Sequence, residues 1–78
     1  MEIVALPDGR EFKIMVWGKG QAISVDPVLD QGVEEGFWAQ DQDADELVNL
    51  YNDKGGVALV EYLESAGVSF PREADYAG

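Results

Sequence analysis

The chain contains no cysteine and no histidine. Without thiols it cannot be braced by a disulfide or hold a thiolate zinc site. Without imidazole or thiol, neither a Ser-His-Asp nor a Cys-His arrangement can be assembled. Ser24, Ser65 and Ser69 have no evident activating base. Cations are scarce: five Lys and Arg stand against sixteen Asp and Glu, giving a formal net charge of −11. So few positive charges cannot neutralise many phosphates, so direct binding to nucleic acid is not expected. An anionic membrane surface is disfavoured on the same ground. Long hydrophobic runs are missing too. None approaches the ~20 residues needed to cross a bilayer, and the N-terminus lacks a secretory-signal pattern.

What is present points to a small folded domain. At 46% hydrophobic residues the 78-residue chain is too apolar to be a disordered acidic segment and can build one core. A domain of this size has a large surface for its interior and is marginal in stability. A substrate-enclosing cleft is hard to build on that scale. A pair of carboxylates working as acid and base is therefore not expected, and the chain reads as a non-enzyme. No cofactor or metal is expected either. Asp41-Gln42-Asp43-Ala44-Asp45 opens like a calcium loop, but glycine at loop position six and glutamate at position twelve are replaced by Glu46 and Asn52. The acidic start of a helix explains that run better.

The periodicities predict an α+β fold, an antiparallel meander of three to four strands followed by two short helices. Ile3-Val4-Ala5-Leu6 supplies a first strand, at about residues 2–6. Pro7-Asp8-Gly9-Arg10 has turn chemistry. Residues 11–17 alternate, with Phe12, Ile14 and Val16 on one side and Met15 and Trp17 on the other. Gly18-Lys19-Gly20 turns the chain into a third strand at 21–25, where Asp26-Pro27 is expected to stop it. Residues 28–36 read as a loop, and 36–40 as a short fourth strand. Helices are expected at about 43–53 and 56–66, with a capping box over Asp43–Glu46 and Gly67 as a C-terminal cap. The domain spans residues 1–70, and residues 71–78 form a loose tail.

The charge is unevenly distributed. Between Gly20 and Asp53 there is no Lys or Arg, but there are nine carboxylates. A surface of one sign costs stability through self-repulsion, and a small domain needs a net charge of only about 2–8 for solubility. The candidate partner-binding acids are Asp26, Asp30, Glu34, Glu35, Asp41, Asp43, Asp45 and Glu46, with Glu61 and Glu64 extending the set along a helix. Fixed carboxylates of this kind can occupy a Lys/Arg groove that normally holds a phosphate backbone. Met15, Trp17 and Trp38 lie opposite the inward side of their strands and form a second candidate set, as aromatic anchors for a partner, unless residues 26–36 cover them.

In size and charge profile over its whole length, with no shared motif, the chain resembles small acidic phage-encoded inhibitors, among them anti-CRISPR proteins. The resemblance implies a stoichiometric blocker of a basic nucleic-acid-binding protein or ribonucleoprotein complex, acting in the cytoplasm of a bacterial host. Two alternatives stand beside it. One is a protein–protein interaction module or small structural subunit anchored by Trp and Met, with a second copy of the chain as one partner. The other is an acidic domain whose charge reflects its proteome.

Overall fold

The computed structural model describes residues 1–75. Five strands precede two helices: β1 (Glu2–Ala5), β2 (Glu11–Trp17), β3 (Ala22–Leu29), β4 (Gly32–Val33), β5 (Phe37–Gln40), α1 (Gln42–Lys54) and α2 (Gly56–Ser65). A 3-10 turn follows at Glu73–Asp75. The expected α+β meander is what forms. β1, β2 and β3 pair antiparallel in chain order. The far edge of β3 is then shared, with β5 pairing Ala22–Val25 and β4 pairing Val28 and Leu29.

Strand parity decides the layers. On one face, register places Val4 opposite Phe12, Ile14 opposite Val25, and Ile23 between Val16 and Ala39. Both helices pack on this face. Ala44, Leu47 and Val48 of α1 and Leu59, Val60 and Leu63 of α2 close a core in which Phe12, Ile14, Ile23, Val25, Leu59 and Val60 are essentially sealed from water. Burying one such aliphatic side chain contributes about 1.5–3 kcal/mol. Val16, expected inward, is on this face but at the sheet's end, and remains 37% exposed. Phe70 returns to the core edge-on to Phe12, with ring centroids 5.0 Å apart.

Three local expectations are corrected. Asp26-Pro27 does not end the third strand, which runs on to Leu29. The Pro27 carbonyl accepts a hydrogen bond from Glu34 N at 3.0 Å on the edge away from β2. N–H and C=O of one extended residue point the same way, so the N–H that proline lacks would have faced this short edge, and the β2–β3 ladder loses no bond. Residues 28–36 are accordingly not all loop, since Gly32 and Val33 pair back as β4. The capping box is absent: α1 starts at Gln42 with Asp41 at the N-cap, and no side chain caps it. Asp41 has φ 55° and ψ −127°, a costly conformation for a residue with a Cβ. Its N–H is bonded to Gln21 O at 2.7 Å, tying the helix start to the β2–β3 turn.

The end of α2 follows expectation. Val68 N donates to Leu63 O and Gly67 N to Glu64 O, the paired bonds of a Schellman cap, with Gly67 at φ 101° and Val68 packed on the core. Beyond it lies the segment expected as a loose tail, residues 71–78. Within it Arg72 N donates to Asp75 Oδ2 at 2.8 Å, and Asp30 N donates to Glu73 Oε1 at 2.6 Å. Tyr76 and the rest of the expected tail lie outside the described residues.

Candidate functional site

The helices cover only one side of the sheet. By register the opposite side carries Ile3, Met15, Trp17, Ser24, Val28, Val33 and Trp38, interrupted by Glu11, Lys13, Asp26 and Gln40. A lone antiparallel sheet commonly keeps its wet face polar, but here Met15, Trp17 and Trp38 make one end of it apolar. Trp38 is 53% exposed and Trp17 39%, while Met15 is half-buried. The indoles pack against each other with ring centroids 5.0 Å apart and planes tilted by 52°. Residues 26–36 therefore do not cover the aromatic set; they form a wall beside it.

That wall makes a cleft of about 340 Å³, lined by Trp17, Ser24, Asp26, Glu35, Gly36, Phe37 and Trp38. Asp26 Oδ1 accepts a hydrogen bond from Gly36 N at 2.9 Å, which fixes the wall to β3. Gly36 is needed for that approach, because a Cβ there would lie 2.4 Å from Val25 O and 2.9 Å from Phe70 Cδ1. Ser24 stands between Met15 on β2 and Trp38 on β5. It is only 4% exposed, and its Oγ has no hydrogen-bond partner among the described residues. Such a group costs about 1–3 kcal/mol of desolvation if nothing repays it. No evident activating base stands near Ser24 in the sequence to single it out. Its parity with Met15 and Trp17 already put it on the open side, but its burial comes only from the neighbouring strands.

The candidate acids do not form one patch. Asp26 and Glu35 border the cleft. Asp30 is at the β3–β4 turn, beside the 3-10 turn that holds Glu73. Glu34 is half-buried and donates its N–H to Pro27 O. Asp41, Asp43, Asp45 and Glu46 surround the first turn of α1, all exposed. Residues two apart on a helix do not share a face, so Asp43 and Asp45 lie on opposite flanks and Glu46 points away from the sheet. Glu61 is exposed on α2. Glu64, three residues on, is taken by an ion pair: Arg10 Nη1 and Nη2 donate to Glu64 Oε2 and Oε1 at 2.7 and 2.9 Å. Those hydrogen bonds hold the Glu64 carboxyl below its ordinary value and keep the Arg10 guanidinium charged. Asp8, bonded to Arg10 N and Nε, is lowered for the same reason.

One further pair bears on chemistry. Tyr51 Oη donates to Glu2 Oε1; burial, then that bond, push the phenol up to about 12. Among the described residues no group of three or more carboxylates is placed to hold a metal ion, and no helix is long and apolar enough to cross a membrane. Compared with protein-family models, curated proteins and solved structures, the chain matches none of them.

Proposed function

We propose that this chain is a non-catalytic binding module that docks a basic protein through the open face of its sheet. Trp17, Trp38 and Met15 are the anchors, and the acids steer the encounter. One observation carries the reading: an exposed, mutually packed Trp pair on a sheet face that no helix covers. Indole side chains are the usual dominant contributors at protein interfaces, and contiguous exposed apolar surface marks interaction sites. The partner is basic because the chain carries −11, a field that accelerates association with cations and repels a second copy.

A second reading, the phosphate-backbone mimic that blocks a nucleic-acid-binding complex, is favoured by the absence of any Lys or Arg between Gly20 and Asp53. It places the binding energy on Asp41, Asp43, Asp45 and Glu46 instead of on the indoles.

Capture by the immobilised chain from a bacterial lysate, over a salt series and with duplex DNA as competitor, separates the two. The module reading expects Trp17→Ala and Trp38→Ala each to cost about 2 kcal/mol or more of affinity, with DNA a poor competitor. The mimic reading expects Asp43→Asn/Asp45→Asn/Glu46→Gln to abolish capture and DNA to compete. Capture that is indifferent to both sets of changes rejects both readings.

A further inference from the structure

We infer that the cleft beside Trp38 is a receptor for the guanidinium of an arginine side chain presented by the basic partner. The inference deepens the module reading and rests on it. The volume, about 340 Å³, is near the bottom of the roughly 300–1,000 Å³ range of ligand pockets, so it suits one long side chain better than a cofactor.

The lining is matched to that group. Its ionisable members, Asp26 and Glu35, are both acidic. Asp26 commits Oδ1 to Gly36 N, which leaves Oδ2 as an acceptor. The indole faces of Trp17 and Trp38 attract a cation through their ring quadrupoles. The buried Ser24 Oγ, without a partner, is the feature that calls for a ligand, because an incoming N–H donor satisfies it. Neither indole N–H donates a hydrogen bond among the described residues, so a donor that reached the closed-off Ser24 Oγ by displacing the Trp38 ring would break none. A guanidinium brings a flat stacking surface and five N–H donors in a fork; an ammonium brings three donors and no plane. Arginine is therefore the better occupant.

A second cleft differs in its lining. It holds about 440 Å³ between the β1–β2 turn, the end of β3 and the C-terminal segment. Arg10 and Arg72 line it together with Asp8, Asp30 and Glu73, and Arg10 is already spoken for by Asp8 and Glu64. It presents both signs of charge and makes no comparable demand. Lys13 is opposite Asp26 in register and in no ion pair among the described residues. It opposes an incoming guanidinium.

The test is a titration of the full chain, ¹⁵N-labelled, with N-acetyl tri-arginine amide and its tri-lysine counterpart at low salt. The tri-arginine peptide is expected to shift the Trp17 and Trp38 indole N–H resonances and to bind at least about threefold more tightly than tri-lysine. Trp38→Ala, Ser24→Ala and the pair Asp26→Asn/Glu35→Gln should each weaken it about threefold or more, the scale of a partly exposed cation–π or hydrogen-bond contact. Lys13→Gln should tighten it. Neutralising Asp43, Asp45 and Glu46 should leave the indole shifts in place. Trp38→Phe, which retains a ring, replaces Trp38→Ala if the latter loses amide dispersion.

Equal binding of the two peptides, shifts confined to α1, or indole shifts that grow with protein concentration alone would overturn the inference. The last would assign the face to self-association. If the arginine preference fails while lysate capture is still lost in the Trp variants, the module reading stands without the arginine site. If both fail, both go.

Discussion

The two faces of the sheet are built from the same strands by a shift of one residue, and they have different fates. Phe12, Ile14, Ile23 and Val25 point to the helices and lose nearly all contact with water. Their immediate neighbours Met15, Trp17 and Ser24, with Trp38 across the ladder, point the other way, and no helix among the described residues packs over them. A strand that is apolar on both sides has apolar surface in excess of what one helical layer can cover. The difference between the faces separates what the residues are for. One face holds the fold together, and the other is available to hold something else.

Mutations can break that comparison. The largest effect is expected on the inner face: Leu59→Ala or Ile23→Ala should cost about 2–5 kcal/mol, a large share of the stability of a domain this small. Trp38→Ala should cost less than about 1 kcal/mol, since the ring is more than half exposed. Chemical denaturation of the three variants checks this, and comparable losses would mean that the open face is structural. Gly36→Ala comes next, at about 1–3 kcal/mol, because the added methyl overlaps Val25 O, Pro27 Cδ and Phe70 Cδ1. As Gly36 touches both the core and the cleft, this variant should also lower affinity for any ligand of the open face, which titration calorimetry would register.

The Arg10–Glu64 fork ties the β1–β2 turn to α2 and gives a smaller, pH-dependent effect. The fork lowers the Glu64 carboxyl below its ordinary value. The stabilisation is therefore complete above that ordinary value and is lost as pH falls through the lower, folded value. Glu64→Gln should cost about 1 kcal/mol at neutral pH, discounted for partial exposure. The gap between variant and parent should close in acid, as followed by thermal melts across pH. A gap that persists in acid would mean the side chain acts by shape alone. The smallest effect has the opposite sign. Ser24→Ala removes a buried hydroxyl with no partner and should stabilise the free protein by up to about 1 kcal/mol. A residue whose loss improves the fold but weakens arginine binding is there for the ligand. A destabilising Ser24→Ala would show instead that the hydroxyl is satisfied within the fold.

How much of this was legible in the sequence depends on the range of the cause. Alternation over Glu11–Trp17 is local, and both faces of β2 could be read from it. The Trp38 orientation followed from Phe37 in the same way. The course of β3 through Asp26-Pro27 was not legible, because proline's tolerance there depends on which edge its missing N–H faces, and pairing with distant residues sets that. The acids looked like a cluster because they are close in sequence. The 100° step of α1 distributes Asp43, Asp45 and Glu46 around the helix, and Glu64 is withdrawn by Arg10, 54 residues away. The cleft is assembled from β2, β3 and β5 with the segment before β5, so only the fold could reveal it.

The account's central claim is that the uncovered face holds the partner while the acids of α1 only bring it near. The most direct test is to follow association and dissociation of the captured basic partner for Trp38→Ala and for Asp43→Asn/Asp45→Asn/Glu46→Gln, side by side at low and high salt. The account predicts faster dissociation for Trp38→Ala at either salt. For the acidic variant it predicts slower association that salt largely erases, with dissociation little changed. Dissociation accelerated by the acidic variant and untouched by Trp38→Ala would contradict it.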